Sequence, residues 1–148
     1  MSTRCTISVQ MRGHIRSIYC HSDGSPLSVG DTLSRFYGCQ ARAEELVSLG
    51  DLSILGPSTW CPPDHSFDHP HPECCVYYTR DRGDPPRTPS PGEWVDLDDM
   101  RQWDAQEEYN YLFTEGRWFF TKGRSPELED LGLYLFGTRK QAEQWGKL

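Results

Sequence analysis

Residues 4–37 read RCTISVQMRGHIRSIYCHSDGSPLSVGDTLSRFY, and in this segment side-chain periodicity, turn residues and helix capping agree. Polar and apolar residues alternate along its first eight positions, which is typical of a strand with one buried face. Arg12 and Gly13 can turn the chain, so we expect residues 15–20 to return as an antiparallel strand. Arg is a poor first residue for such a turn, which leaves a longer bulged loop as the alternative. A two-residue loop predicts the pairs Ile7–Ile18 and Cys5–Cys20.

The second part of this segment predicts a polar corner followed by helices. Residues 21–26 read HSDGSP, a composition typical of a turn. Ser28 can cap a first helix, which we expect to end at Gly38. A second helix is predicted over residues 40–49, with Gly50 as its left-handed terminal residue.

A second hairpin is predicted over residues 109–121, where aromatic residues flank Glu115 and Gly116. A two-residue loop there predicts an aromatic ladder of two pairs, Phe113–Trp118 and Tyr111–Phe120. The other predicted elements are strands over residues 75–79 and 131–136, a helix from Asp96 through Trp103, and a helix from Thr138 to Gly146. Strands and helices without regular βαβ spacing indicate an α+β fold, with an antiparallel sheet of about five strands, helices on one face and long polar loops.

The bulk composition predicts one folded domain over residues 1–148, with loops 56–74 and 80–92 as excursions. Five Trp, seven Tyr and six Phe supply core residues that a disordered chain lacks. No apolar run has the length of a membrane span, and the first ten residues lack the apolar centre of a signal peptide. We therefore expect a soluble cytoplasmic protein whose six cysteines are free thiols or metal ligands, with a Cys5–Cys20 disulfide as the alternative.

Negative charge is concentrated in one segment, residues 93–108, which holds seven acids against Arg101 alone. Such a run is usually a solvated helix face. The alternative is that its carboxylates imitate a phosphate backbone and occupy a basic groove on a protein that handles nucleic acid. The partner-binding residues would be Glu93, Asp96, Asp98, Asp99, Trp103, Asp104, Glu107 and Glu108. Direct nucleic-acid binding through this face is excluded by its charge.

Two further groups of residues suggest ligand sites. In the corner, spacing favours a simple turn formed by Asp23 and Gly24. The alternative is a small-molecule or phosphate site formed by Arg4, Arg16, Tyr19, His21 and Asp23. The loop after residue 60 is by default a solvated loop, and the alternative is a zinc site formed by His65, His69, His71 and Cys74. No cofactor is expected apart from zinc in that alternative, and the absence of any known catalytic motif favours a protein that is not an enzyme.

Four segments carry a resemblance: residues 3–7 (TRCTI), 18–26 (IYCHSDGSP), 49–56 (LGDLSILG) and 107–111 (EEYNY). They resemble a group of small proteins encoded by phages and prophages, in which a large aromatic residue often stands where this chain has Ser22. That group has no assigned catalytic residues. Small acidic phage proteins are often inhibitors of host defence, for example anti-CRISPR proteins, so the resemblance implies an accessory protein of this kind.

The sequence therefore leads to one principal functional hypothesis and two alternatives. The principal one is a non-enzymatic inhibitor that binds a host defence protein or ribonucleoprotein through the acidic segment, in the host cytoplasm. The first alternative is a small-molecule binder that sequesters a nucleotide immune signal at the corner. The second is a metal-dependent enzyme that uses the loop from His65 to Cys75. A homodimer through an exposed sheet edge is compatible with each.

Overall fold

The structure is a computed structural model that describes residues 3–86, 93, 94, 96, 100, 107–125 and 127–146. Its strands are β1 (Cys5–Met11), β2 (His14–Cys20), β3 (Leu52–Ile54), β4 (Val76–Tyr77), β5 (Glu93–Trp94), β6 (Tyr109–Thr114), β7 (Arg117–Lys122) and β8 (Glu129–Asp130). Its helices are a π-helical turn (Pro26–Gly30), α1 (Asp31–Phe36), α2 (Gln40–Ser48), α3 (Tyr78–Arg82) and α4 (Leu131–Gly146). None of the helices in the described ranges combines the length and apolar character needed to cross a membrane.

Both hairpins have the predicted registers. β1 and β2 are antiparallel and pair Ile7 with Ile18 and Cys5 with Cys20. β6 and β7 pair Phe113 with Trp118 and Tyr111 with Phe120. In the second hairpin Glu115 and Gly116 have φ of 54° and 78°, as a two-residue turn with two left-handed residues requires.

The sheet is mixed, whereas the sequence predicted an antiparallel one of about five strands. Seven strands follow the order β4-β3-β2-β1-β6-β7-β8, and β5 pairs with β2 in addition. β1 is parallel to β6, and β2 is parallel to β3. Parallel neighbours arise because the chain crosses over between these strands instead of turning back directly.

The helices α1, α2 and α4 cover one face of the sheet, as predicted. Their buried residues join those of the two hairpins in a single core cluster. α2 follows the prediction closely, because Ala43, Leu46 and Val47 are buried and Gly50 has φ 93°. The first helix differs, since it begins as a π-helical turn at Pro26 and Ser28 does not cap it.

The predicted strand over residues 131–136 is wrong, because these residues begin α4. Leu131 and Leu135 are buried and four residues apart, whereas Leu133 is 71% exposed. A strand would place all three on one face. The Asp130 carboxylate accepts a hydrogen bond from the Leu133 N–H at 3.0 Å and so caps the helix. The predicted cap, Thr138, instead donates to the Tyr134 carbonyl inside the helix.

Two other element predictions require correction or fall partly outside the described residues. The strand predicted over residues 75–79 is confined to β4, and α3 begins at Tyr78, inside the chain that was expected to be extended. In the predicted helix from Asp96, the Asp96 carbonyl accepts a hydrogen bond from the Met100 N–H at 3.1 Å, which is one helical turn. Trp103 and the rest of that helix lie outside the described residues.

The opposite face of the sheet carries buried polar pairs. Thr6 donates to the Asn110 side chain at 2.8 Å, and the Ser8 and Ser17 hydroxyls are 2.6 Å apart. Beside them, Met100 and Trp94 pack on Ile15 and Leu112. Because each of these hydroxyls has a partner, polar residues are accommodated on a buried face at little cost.

All six cysteines are free thiols. Cys5 and Cys20 are neighbours across the first hairpin and are fully buried. Burial and the neighbouring Cys20 thiol raise the pKa of Cys5 well above its ordinary value. The pair therefore behaves as two small apolar core residues.

Candidate functional site

A groove of about 740 Å³ lies beside β2. Its walls come from β2, the end of α2 and α3, together with the chain on either side of these helices. The lining residues with polar or aromatic side chains are Arg16, Ser17, Tyr19, His21, Ser48, Asp51, Tyr78, Thr79, Arg80, Arg82 and Asp84. Its volume is in the range of small-molecule sites.

The groove exists because β2 is only partly paired on this side. β3 meets β2 at Cys20, and β5 meets it at Ile15 and Arg16. Between these points the Tyr19 N–H donates to the Asp51 carboxylate at 2.9 Å instead of to a strand. The Asp51 side chain thus satisfies a backbone N–H of β2 that no strand pairs with, and the space beside this contact forms the groove.

Tyr19 and His21 form the wall of the groove that β2 contributes. The Tyr19 hydroxyl and His21 Nδ1 are hydrogen-bonded at 2.7 Å. Burial raises the pKa of Tyr19, and the positive charge of Arg4 partly opposes this effect. The phenol is therefore neutral at physiological pH and presents an aromatic ring to the groove.

The opposite wall is α3, whose arginines are held in place by several contacts. The Arg82 guanidinium lies 4.7 Å from the Phe67 ring centroid and 4.8 Å from that of Tyr78. It also forms a two-point contact with the Asp84 carboxylate, at 2.6 and 2.8 Å. This pairing lowers the pKa of Asp84. Stacking and pairing together fix the orientation of this guanidinium.

Arg80 is held from the other side of α3. Its guanidinium donates to the Asp81 carboxylate at 2.9 and 3.1 Å and to the carbonyls of Cys75 and Thr59. Burial alone would raise the pKa of Asp81, but hydrogen bonds from Arg80 and the Tyr77 N–H, together with the close approach of the His65 imidazole, lower it. The carboxylate is therefore an anion that ties α3 to the preceding loop.

The groove is basic relative to the rest of the chain. Three arginines line it, against the carboxylates of Asp51 and Asp84, whereas the whole chain has a net charge of −7. Arginine guanidinium groups recognise carboxylate and phosphate oxygens with two parallel bonds. The tyrosine rings of Tyr19 and Tyr78 add flat apolar surface. These features suit an anionic ligand with an aromatic part.

Of the predicted corner residues, the structure places Arg16, Tyr19 and His21 in the groove lining. Arg4 is exposed outside the lining, although its charge acts on Tyr19. Asp23 is exposed with φ 56°, and it forms the turn that the sequence offered as the alternative. Sequence reasoning missed the residues of the opposite wall, Asp51, Tyr78, Arg80 and Arg82. The signal available for Tyr78, Arg80 and Arg82 was the run YTRDR, which is basic within an acidic half of the chain.

The predicted acidic surface is described only in part. Asp96 and Glu108 are exposed, and Glu107 is half-buried. Glu93 lies in β5, and its backbone is opposite that of Arg16 in the antiparallel pairing of β5 with β2. The other predicted members, Asp98, Asp99, Trp103 and Asp104, lie outside the described residues.

The predicted zinc ligands do not come together. His69 and His71 are exposed, while Cys74 is buried and its thiol donates to the Trp60 carbonyl at 3.3 Å. His65 is different, because its side chain is completely buried and faces Asp81.

Comparison with protein-family models, with curated proteins and with solved structures gives no match.

Proposed function

We propose that this protein binds a small anionic ligand of the nucleotide type in the groove beside β2, without transforming it. The observation that supports this is the meeting of arginines and tyrosines in one groove, with Arg16 and Tyr19 on one side and Tyr78 and Arg82 on the other. A nucleotide offers a flat base for the rings and phosphate oxygens for the guanidinium groups.

Each wall has a distinct part in this proposal. Arg82 is already oriented by Phe67, Tyr78 and Asp84, so binding a phosphate costs little side-chain entropy. In the tautomer in which His21 Nδ1–H donates to the Tyr19 oxygen, the Tyr19 O–H is left to donate to the ligand. The sequence resembles small proteins encoded by phages. In an infected host, such a binder would sequester a nucleotide signal of host defence.

The test is a thermal-shift series with cyclic dinucleotides and ADP-ribose derivatives. A ligand at about one hundred times its Kd stabilises the fold by about 2.7 kcal/mol, which raises Tm by roughly 5–10 °C for a chain of this length. We expect Arg82→Gln to reduce this shift. Arg117→Gln is the matched control, because Arg117 is also exposed, pairs with Asp130 and lies over the Phe119 ring.

Two outcomes would contradict the proposal. One is that no nucleotide of either class shifts the Tm of the wild-type chain. The other is that Arg117→Gln weakens binding as much as Arg82→Gln, which would mean that the ligand is not held in the groove.

A second function, inhibition of a nucleic-acid-handling host protein, is favoured by the charge of residues 93–108. The segment holds seven acids and one arginine, and its described members Asp96 and Glu108 are exposed. Carboxylates at this density along the sequence suit a basic groove on a partner. The partner would be a host defence protein or ribonucleoprotein in the host cytoplasm.

Charge reversal tests this second function. Lysine replaces the acids Asp96, Asp98, Asp99, Asp104, Glu107 and Glu108, and the control reverses the exposed acids Glu115, Glu127 and Glu129, which lie outside the segment. We expect the first variant to fold but to lose inhibition of a reconstituted CRISPR-type nuclease, and the control to keep it. Full inhibition by the first variant would refute this function.

A further inference from the structure

We propose that Cys61, His65 and Asp81 form a binding site for a divalent transition-metal ion of the zinc type. Asp81 stands in α3 between Arg80 and Arg82, but unlike them it does not line the groove. The site is thus separate from the nucleotide groove, and it differs from the set of histidines that the sequence predicted.

The first observation is convergence of three ligand types. The Cys61 Sγ, an imidazole nitrogen of His65 and a carboxylate oxygen of Asp81 all lie within 4.8 Å of one another. Ligand atoms bound to one zinc ion at about 2.0–2.3 Å lie roughly 3.3–3.8 Å apart in a tetrahedron. The three groups need to approach one another by at most about 1.0–1.5 Å to reach that geometry. Cys61 belongs to a loop, which can supply this movement.

The second observation is an unsatisfied nitrogen. The His65 side chain is 0% exposed, and its Nε2 has no hydrogen-bond partner. That nitrogen lies 3.2 Å from the Asp81 Oδ2, but the direction of the contact is not that of a hydrogen bond. A buried polar atom left without a partner costs about 1–3 kcal/mol, and a metal ion at this point would remove that cost.

Binding changes the protonation of two groups. His65 Nδ1 accepts a hydrogen bond from the His71 N–H at 3.0 Å, so the metal-free imidazole carries its proton on Nε2. When the metal binds at Nε2, that proton moves to Nδ1, and the His71 N–H, in an exposed part of the loop, turns to solvent. The Cys61 thiol releases its proton to solvent and becomes a thiolate. Asp81 is already an anion, so the net release is one proton per ion.

The ligand set determines the class of metal. A thiolate and an imidazole favour Zn²⁺ or Co²⁺ over Mg²⁺ and Ca²⁺, which prefer oxygen ligands. Three protein ligands leave the fourth tetrahedral position to a water molecule. Arg80 keeps its bonds to the Asp81 Oδ1 and to the Cys75 carbonyl, so the carboxylate that turns toward the metal stays anchored to α3.

The experiment is a Zn²⁺ titration of the full metal-free chain by calorimetry and thermal shift, with Mg²⁺ as the comparison ion. We expect one Zn²⁺ per chain, a rise in Tm and no response to Mg²⁺. Cys61→Ala and His65→Ala should lose the stoichiometric site. His69→Ala should keep it, because His69 is an exposed histidine of the same loop.

Co²⁺ gives a second readout that does not depend on stability. The wild-type chain and His69→Ala should show the thiolate-to-cobalt charge-transfer band, and Cys61→Ala should not. Wild-type protein that takes up no stoichiometric Zn²⁺ would overturn the proposal. Unchanged binding by Cys61→Ala, or a loss in His69→Ala equal to that in Cys61→Ala, would overturn it as well.

Discussion

Replacement of Asp81 by asparagine tests how α3 is held in place. The Asp81 carboxylate accepts hydrogen bonds from the Tyr77 N–H at 2.7 Å and from the Arg80 guanidinium at 2.9 and 3.1 Å, and it faces His65 at 3.2 Å. Its side chain is only 5% exposed. Asparagine has almost the same shape, but it has one acceptor oxygen and no charge, so it cannot reproduce the two-point contact with Arg80.

The size of the effect follows from these contacts. A hydrogen bond to a charged group contributes about 1.5–3 kcal/mol, and Asp81→Asn removes the carboxylate from the Arg80 guanidinium, whose side chain is 26% exposed. Asparagine keeps the bond from the Tyr77 N–H, so we expect a loss of roughly 2–4 kcal/mol in the free energy of unfolding. At about 2–4 °C per kcal/mol for a chain of this length, Tm falls by roughly 4–16 °C.

The loss depends on pH with a defined sign. The hydrogen bonds hold the pKa of Asp81 below its ordinary value in the folded state. The carboxylate therefore stabilises the fold fully at neutral pH, and this stabilisation disappears as pH falls below about 4 and through the folded pKa. Urea unfolding followed by tryptophan fluorescence gives the free energy of unfolding of the wild type and of Asp81→Asn. We expect the difference between the two proteins to be smaller at pH 3 than at pH 7.

Asp84→Asn is the control, because Asp84 pairs with Arg82 at the exposed end of α3. An exposed pair contributes little, so this variant should unfold close to the wild type. Equal urea midpoints for Asp81→Asn and Asp84→Asn at pH 7 would refute the reasoning. If the difference in free energy of unfolding between wild type and Asp81→Asn is the same at pH 3 as at pH 7, the charge of Asp81 does not cause the destabilisation.

Three further predictions concern the fold, and urea unfolding measures each. Gly24→Ala should destabilise by roughly 1–3 kcal/mol, because its Cβ would lie 2.8 Å from the Cys5 Cβ; an unchanged midpoint would contradict this close packing. Phe113→Ala should cost roughly 3–5 kcal/mol, since the ring is fully buried, and a loss under about 1 kcal/mol would disprove its core role. Leu135→Ala should cost roughly 2–5 kcal/mol and Leu133→Ala less than about 0.5 kcal/mol, whereas equal losses would argue against the helix α4.

The hairpins could be predicted from the sequence because their information is local. Alternation decides which residues share a face, and a two-residue loop then fixes the register, as the pairs Ile7–Ile18 and Phe113–Trp118 show. The parallel pairing of β1 with β6 could not be predicted in the same way. The alternation of β1 is the same whether its neighbour is parallel or antiparallel, and that neighbour begins only at Tyr109.

The segment LGLYLF at residues 131–136 shows the limit of periodicity for short apolar runs. It alternates as a strand does, yet Leu131 and Leu135 are also spaced as one face of a helix. The deciding signal was the preceding Asp130, which caps the helix through the Leu133 N–H. The sequence contains this capping residue, but the alternation of LGLYLF is also typical of a strand and led to the wrong prediction.

The groove could be predicted on one side only. Arg16, Tyr19 and His21 lie in or beside β2, so the hairpin and corner place them together. The opposite wall comes from α3, which long-range contacts bring to β2: the Asp51 carboxylate bonds the Tyr19 N–H, and the Asp51 carbonyl accepts from the Tyr78 N–H at 3.2 Å. No local pattern in the sequence encodes these contacts.

The short helix α3 belongs to both proposed sites, and this links them energetically. Arg80 lines the groove, while its guanidinium shares hydrogen bonds with the Asp81 carboxylate. A metal ion bound to that carboxylate draws electron density from it. Asp81 then neutralises less of the positive charge of Arg80. The carbonyls of Cys75 and Thr59 still hold the guanidinium in position, so its charge becomes more available to an anion in the groove. Metal and anion should therefore each raise the affinity for the other, and linkage requires the two factors to be equal.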